Sequence, residues 1–257
     1  MNTALRLAEI VTALEQVELT ALVMGGHAVR YYGFERNTID YDLHLSPSDW
    51  EELSSRLNRS TLSAGRPLIP GPSWRPGSFQ RFLLGHLADG RDEWLEFWRN
   101  NHLLPPFADL YDRREQGTYG GRTLAFLSLP DLIRSKETER ETDWQDIAVL
   151  EEIADGRLLR QATAGTITVE QALARLRSRR GVESFFQSGL LRDSAVVGQA
   201  LMQTQLSITQ AILLPFAGTE KAPPLSTVPM EPVVASRLRT VAPASPLHLS
   251  LIEVVRR

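Results

Sequence analysis

The sequence predicts an α+β fold: a mixed β-sheet core flanked by helices, with a helical C-terminal extension. Three observations predict it. Residues 38–45 alternate apolar and polar side chains, with Ile39, Tyr41, Leu43 and Leu45 against Thr38, Asp40, Asp42 and His44, the period of a half-buried strand. A short apolar run, Thr20–Met24, ends on Gly25-Gly26, as a buried strand ends on a turn. Helical spacing of apolar residues appears both before and after these strands.

In chain order, residues 3–16 read as a first helix, carried by Leu5, Ile10, Leu14 and Val17. Thr20–Met24 is the first strand, Gly25-Gly26 breaks it, and Ala28–Tyr32 is a helix leaving it. Thr38–Leu45 is the second strand. Ser46-Pro47-Ser48 stops it and caps a helix over Asp49–Leu57. Residues 58–78, with Gly65, Pro67, Pro70, Gly71, Pro72, Pro76 and Gly77, read as loop. Phe79–Leu87 and Trp94–Arg99 form a strand pair turned at Asp89-Gly90. A helix near Phe107–Arg114 precedes a strand at Thr123–Leu127. Ser128-Leu129-Pro130 opens a helix to about Glu139, and Thr142–Ile153 forms another.

The character changes after Gly156. Thr168–Arg180 and Ser194–Phe216 read as helices. The interval from Pro215 to Pro246 holds seven of the fifteen prolines, too many for helix or central strand. The expected organisation is a core over 1–160, a helical extension over 161–218 and a Pro-rich tail over 219–257.

Composition narrows the function. The 257 residues are 42% hydrophobic and 23% charged, with net charge −3, the balance of a soluble globular protein. Any nucleic-acid contact must therefore come from a local basic patch. The absence of cysteine removes disulfides, thiol nucleophiles and thiolate metal sites, and fits a cytoplasmic setting. Residues 194–219 carry no charge, but Gln199, Gln203, Gln205 and Gln210 interrupt them. A membrane span needs about 20 predominantly apolar residues, so this segment reads as a buried or interfacial helix. Its polar stripe of Gln199, Gln203, Ser207 and Gln210 suits packing on the body or a partner.

The chemistry centres on Asp40 and Asp42. Two residues apart on a strand, both carboxylates point to one face. Such a pair suits Mg²⁺, which takes few carboxylates and completes its octahedron with water and phosphate oxygens. A glycine pair upstream lets backbone N–H groups approach phosphate, because no side chain intervenes. Either feature alone is common in plain turns and strand faces. Together they fit phosphoryl transfer from a nucleoside triphosphate.

The segments Val23-Met24-Gly25-Gly26-His27-Ala28-Val29 and Glu35-Arg36-Asn37-Thr38-Ile39-Asp40-Tyr41-Asp42-Leu43 resemble the opening of the AbiEii-type nucleotidyltransferases, within the polymerase-beta-like superfamily. Thirteen residues separate Gly26 from Asp40, near the superfamily's spacing. Leu127-Ser128-Leu129-Pro130-Asp131-Leu132-Ile133, followed by Lys136, Arg140, Asp143 and Asp146, is similar to the family's later helical motif. The resemblance covers roughly residues 18–153. It implies a third carboxylate on a neighbouring strand. Glu96 is the best position, Glu93 the competitor and Asp92 a weaker one, although the family more often has aspartate there.

The resemblance implies an enzyme moving a nucleoside monophosphate from an NTP to a hydroxyl acceptor. Asp40, Asp42 and Glu96 would hold Mg²⁺, and Glu96 would orient or deprotonate the acceptor. Gly25 and Gly26 would cradle phosphate, and Lys136 would meet a phosphate as a point charge. Arg36 either reaches the nucleotide or locks the fold by pairing with Asp143 or Asp146. His27 reads as a local hydrogen-bonding residue, and His44 shares the face of the aspartates. Arg175, Arg177, Arg179 and Arg180 form a basic cluster on a predicted helix, either a solvated face or a contact for RNA. The resemblance further implies a toxin or defence protein with a cognate antitoxin. Two alternatives stand beside it: a catalytically weak binding module on the same fold, and a transferase acting on a small molecule.

Overall fold

In the computed structural model, residues 2–190 apart from 64, 74, 102, 139 and 174 are described. The expected Ser194–Phe216 helix and the Pro-rich tail lie outside them. The fold divides into two compact units at Lys136/Glu137.

The first unit is built on a seven-stranded mixed sheet. Its strands are β1 (Ala21–Val23), β2 (Tyr41–Leu45), β3 (Ile69–Pro70), β4 (Phe79–His86), β5 (Asp92–Trp98), β6 (Glu115–Tyr119) and β7 (Arg122–Phe126), in the order β3-β4-β5-β2-β1-β7-β6. β2 runs parallel to β5 and β1 parallel to β7, while the other neighbours are antiparallel. Its helices are α1 (Thr3–Glu15), α2 (Gly25–Tyr31), α3 (Pro47–Arg59), α4 (Phe107–Asp112) and α5 (Leu129–Ser135). One sheet face is continuous core: Tyr41, Leu43, Leu95 and Phe97 are fully buried, as are Leu7, Ile10 and Leu14 of α1. Local chemistry marks the element ends. Asn2 caps α1, Ser46 caps α3 and Ser128 caps α5 through their side chains.

Several expectations shift by a few residues for physical reasons. The second strand begins at Tyr41 and not at Thr38, because its pairing with β5 starts there and that with β1 follows from Leu43. The helix after β1 starts at the glycines themselves. The hairpin β4–β5 closes as expected at Asp89-Gly90, with Gly90 at φ +83° and Leu87 N–H donating to Arg91 O at 2.8 Å. The sequence reading omitted β6, whose residues are Glu-Gln-Gly-Thr-Tyr. It is a polar edge strand, joined to β7 by the Gly120-Gly121 turn, both at positive φ. Gly117 within it is required, since a side chain there would collide with the Tyr31 ring. The two-residue β3 falls inside the loop-rich stretch.

The second unit begins with α6 (Glu141–Thr163), 23 residues long, which runs through Gly156 where the sequence suggested a change. The expected Thr168–Arg180 helix is instead two pieces, α7 (Val169–Leu173) and α8 (Arg179–Ser188). Asp155 of α6 dictates the break. Fully buried, it accepts from Arg177 N–H at 3.0 Å, Ser178 N–H at 2.6 Å and Ser178 Oγ at 2.7 Å. These donors belong to the turn, so residues 175–178 cannot continue a helix. Gly181 admits the carboxylate where a side chain would collide with it. The four arginines therefore do not share one helical face, and Arg180 pairs with Glu152 at 3.3 Å. No helix among the described residues is long and apolar enough to cross a membrane.

Removing the Asp155 carboxylate leaves the buried turn amides without an acceptor. Asp155→Ala is predicted to lower the unfolding free energy by about 2–4 kcal/mol, measured by denaturant titration, with Asp155→Asn losing less because its amide keeps one acceptor.

Candidate active site

The site follows from one strand register. β2 lies parallel on β5 with Asp42 opposite Glu96. Register partners on neighbouring strands project to the same face, so the two carboxylates stand side by side. Asp40, two residues upstream, belongs to the same group. Glu96 is the register partner of Asp42 and is repelled by both aspartates. Burial first, then the charges of Asp42 and Asp40, push its carboxyl up to about 8. Asp40 is likewise raised, by burial and then by Asp42, against the opposing effect of Arg81. Three acidic groups crowded in a half-buried space thus share a deficit of positive charge.

The glycine pair explains how the group is closed on one side. Met24 N–H donates to Asp42 O at 3.0 Å, tying the end of β1 to β2. Gly25 has φ +61°, and a side chain there would collide with the Asp42 carboxylate. A side chain on Gly26 would collide with Thr38. Both glycines are therefore needed for the start of α2 to lie directly against the acidic strand.

The structure separates the competing acids. Glu93 is on the opposite, buried face of β5, where it accepts from Tyr41 Oη at 2.9 Å and faces Arg6 Nε at 3.9 Å. Asp92 pairs with His86 at the hairpin end, at 2.8 Å. Glu96 alone of the three is beside Asp42. An acid in a hairpin can belong to either face until the pairing parity is known, so the sequence left Glu93 open.

The histidines are packed groups. His27 is fully buried, stacked on Tyr41 at 5.1 Å, with Nδ1 3.0 Å from Tyr119 Oη. Burial and then Arg30 pull its pKa down to about 4, so it is neutral. His44 shares the acidic face as expected, but it is buried near the Phe107 ring and its Nδ1 bonds Leu45 O at 3.2 Å. Burial lowers its pKa too.

Arg36 is half-buried and lines a cleft of about 1200 Å³ with Arg30, Asn37, Thr38 and Glu93. Lys136 is buried at the C-terminal cap of α5. In the second unit Asp143, buried, is gripped by Arg140 through bonds of 2.8 and 3.0 Å and by Thr138 Oγ1 at 2.5 Å. Sequence reasoning missed Arg81. It is the register partner of Glu96 on β4, with Nη1 3.9 Å from Glu96 Oε1. Among the described residues no group of three or more His, Asp or Glu side chains, Asp40, Asp42 and Glu96 included, is placed to hold a metal ion as it stands.

No family model matches the chain, and no curated protein matches it significantly. Solved structures resemble it. The lincosamide antibiotic adenylyltransferase LnuA, lincomycin-bound, shares 19% identity over 57% of this chain and 95% of that one, with a TM-score of 0.41. ANT(2")-Ia in complex with adenylyl-2"-tobramycin shares 14% over 64% and 97%, with a TM-score of 0.43. An antigenic nucleotidyltransferase-like protein from Paracoccidioides brasiliensis shares 19% over 58% and 76%, with a TM-score of 0.39. Likenesses of this extent do not define an activity for this chain.

The raised Glu96 carboxyl gives a signed prediction for the metal-free protein. A folded pKa of about 8 against an ordinary 4.5 means that its stabilising contribution is full below about pH 4.5 and is lost as pH rises through about 8. Glu96→Gln is neutral at every pH. Its melting temperature relative to the native chain is predicted to rise between pH 5 and pH 9, and a pH-independent difference would contradict the crowding.

Proposed function

We propose that the chain is a metal-dependent nucleotidyltransferase that moves a nucleoside monophosphate from an NTP to a hydroxyl acceptor. The observation that carries this is Asp42 opposite Glu96 on one sheet face, with Asp40 just before the strand interacting with both and Gly25 packed against Asp42. The donors are of the type a hard divalent cation takes, carboxylate oxygens that repel one another; they do not converge as a set of three without the ion, and a cation would offset the repulsion that keeps them apart. An open ligand set suits Mg²⁺, which draws its remaining ligands from water and phosphate oxygens. Asp40, Asp42 and Glu96 would hold it. Bound there, Mg²⁺ would neutralise the triphosphate and favour departure of pyrophosphate.

The chain's own groups supply the rest. Gly25 and Gly26 bring backbone amides close to the phosphates. Of the two nominated phosphate cations, Lys136 is buried, and Arg36 lines a cleft with Glu93 that includes none of Asp40, Asp42 and Glu96, so a phosphate role for either would need the bound nucleotide to reach it. Glu96, set opposite Asp42 on the same face, is placed to orient the acceptor hydroxyl or accept its proton. The acceptor oxygen then bonds the α-phosphorus, the bond to the bridging oxygen breaks, and pyrophosphate leaves with that oxygen.

The module alternative expects the nearby acids to point away from the aspartates, and the register that sets Glu96 opposite Asp42, on the same face, favours the enzyme instead. The acceptor stays open between RNA and a small hydroxyl compound. The arginines of 175–180 no longer favour RNA as a single helical face. Membership of the AbiEii type, the toxin or defence role, a cognate antitoxin and a cytoplasmic setting rest on the resemblance of Gly25–Asp42 and its later partner segment.

The test is a transfer assay with Mg²⁺, each labelled NTP and total RNA, repeated with pooled small hydroxyl acceptors. Label transfer that falls by at least about 1000-fold in the Asp40→Ala/Asp42→Ala double variant is expected. A native chain that binds neither divalent metal nor NTP would sink the proposal.

A further inference from the structure

The sheet face that carries the acids also carries a fixed cation. Arg81 lies one strand outward from Glu96, and its guanidinium carbon is 4.3 Å from the centre of the Trp94 ring. Its Nε is buried without a hydrogen-bond partner, and Nη1 stops 3.9 Å from Glu96 Oε1. An arginine on a strand ordinarily extends its charge into water. This one lies over the indole ring and is denied water at Nε. Gly71 completes the clamp: its N–H donates to Arg81 O at 2.9 Å, and a side chain there would collide with Trp94 and crowd Arg81 Nε. The sheet order β4-β5-β2-β1 puts Arg81 at one end of a row and the glycine pair, after β1, at the other. The three carboxylates stand between.

We propose that Arg81, laid on Trp94, is a positioning residue for the transfer: it holds the Glu96 carboxylate from the side opposite the glycine pair. The proposal rests on the nucleotidyltransferase reading. Asp40 and Asp42 repel Glu96, so something must set where that carboxylate stands when it meets the acceptor hydroxyl. A guanidinium fixed on indole does so with direction, and lysine, a point charge on a flexible stem, does not reproduce the stacked geometry. The same cation opposes entry of a second positive charge. Its two effects therefore have opposite signs, which a purely structural role would not produce.

The experiment titrates Mn²⁺ into the full chain, followed by electron paramagnetic resonance, for the native protein, Arg81→Ala, Arg81→Lys and Trp94→Leu. Transfer with labelled NTP is measured on the same samples, using total RNA and the pooled small acceptors. Arg81→Ala is expected to bind Mn²⁺ several-fold tighter yet transfer about 10- to 100-fold more slowly, with the KM for NTP unchanged. Arg81→Lys and Trp94→Leu, which keep or release the charge, should slow transfer with smaller gains in Mn²⁺ affinity. If Arg81→Ala fails to fold, these two variants decide. Unaltered transfer, or Mn²⁺ affinity that falls together with thermal stability, overturns the positioning role. A native chain that binds no Mn²⁺ fails the underlying enzyme reading instead, and the Arg81 role with it.

Discussion

The parallel pairing of β2 on β5 is the constraint from which the site follows. That register places Asp42 opposite Glu96 and, by alternation, sends Tyr41, Leu43, Leu95 and Phe97 into the core on the other face. A slip of one residue would exchange the faces, burying the aspartate and exposing the core. The apolar residues therefore fix the positions of the acids. The free energy that specifies the site comes from burial of its neighbours, while the acids themselves oppose one another.

That opposition shapes everything around the acids. Glycine at 25 and 26 lets α2 start against them, where any side chain would collide with Asp42 or Thr38. Arg81 approaches from the far strand and partly offsets the repulsion on Asp40 and Glu96. Other ionisable groups nearby are turned to packing: Glu93 accepts from Tyr41 on the core face, and burial lowers the pKa of His27 and of His44. The charge that remains is concentrated where a divalent cation with a polyphosphate would restore balance.

The legibility of these features in the sequence follows their physics. Asp40, Asp42 and the glycine pair were readable because alternation and turn chemistry are local properties. Glu96 was readable as a candidate, but choosing it over Glu93 required the strand's pairing parity, which is a tertiary fact. β6 left no apolar pattern because it is a polar edge strand held by a glycine turn and Tyr31. The split of the 168–180 helix depended on Asp155, whose partners lie 22 and 23 residues away in sequence. Arg81 gave no signal, since its environment is made by Trp94, Gly71 and Glu96 from three separate segments.

The central claim is that the acidic group on β2 and β5 is a divalent-cation site. The most direct measurement is the anomalous difference map of a crystal soaked in Mn²⁺ with a non-hydrolysable nucleoside triphosphate. The account predicts a peak at the carboxylates of Asp40, Asp42 and Glu96, with the phosphates on the side of Gly25 and Gly26. A map with no peak at these carboxylates, or with the ion held elsewhere in the chain, would contradict it.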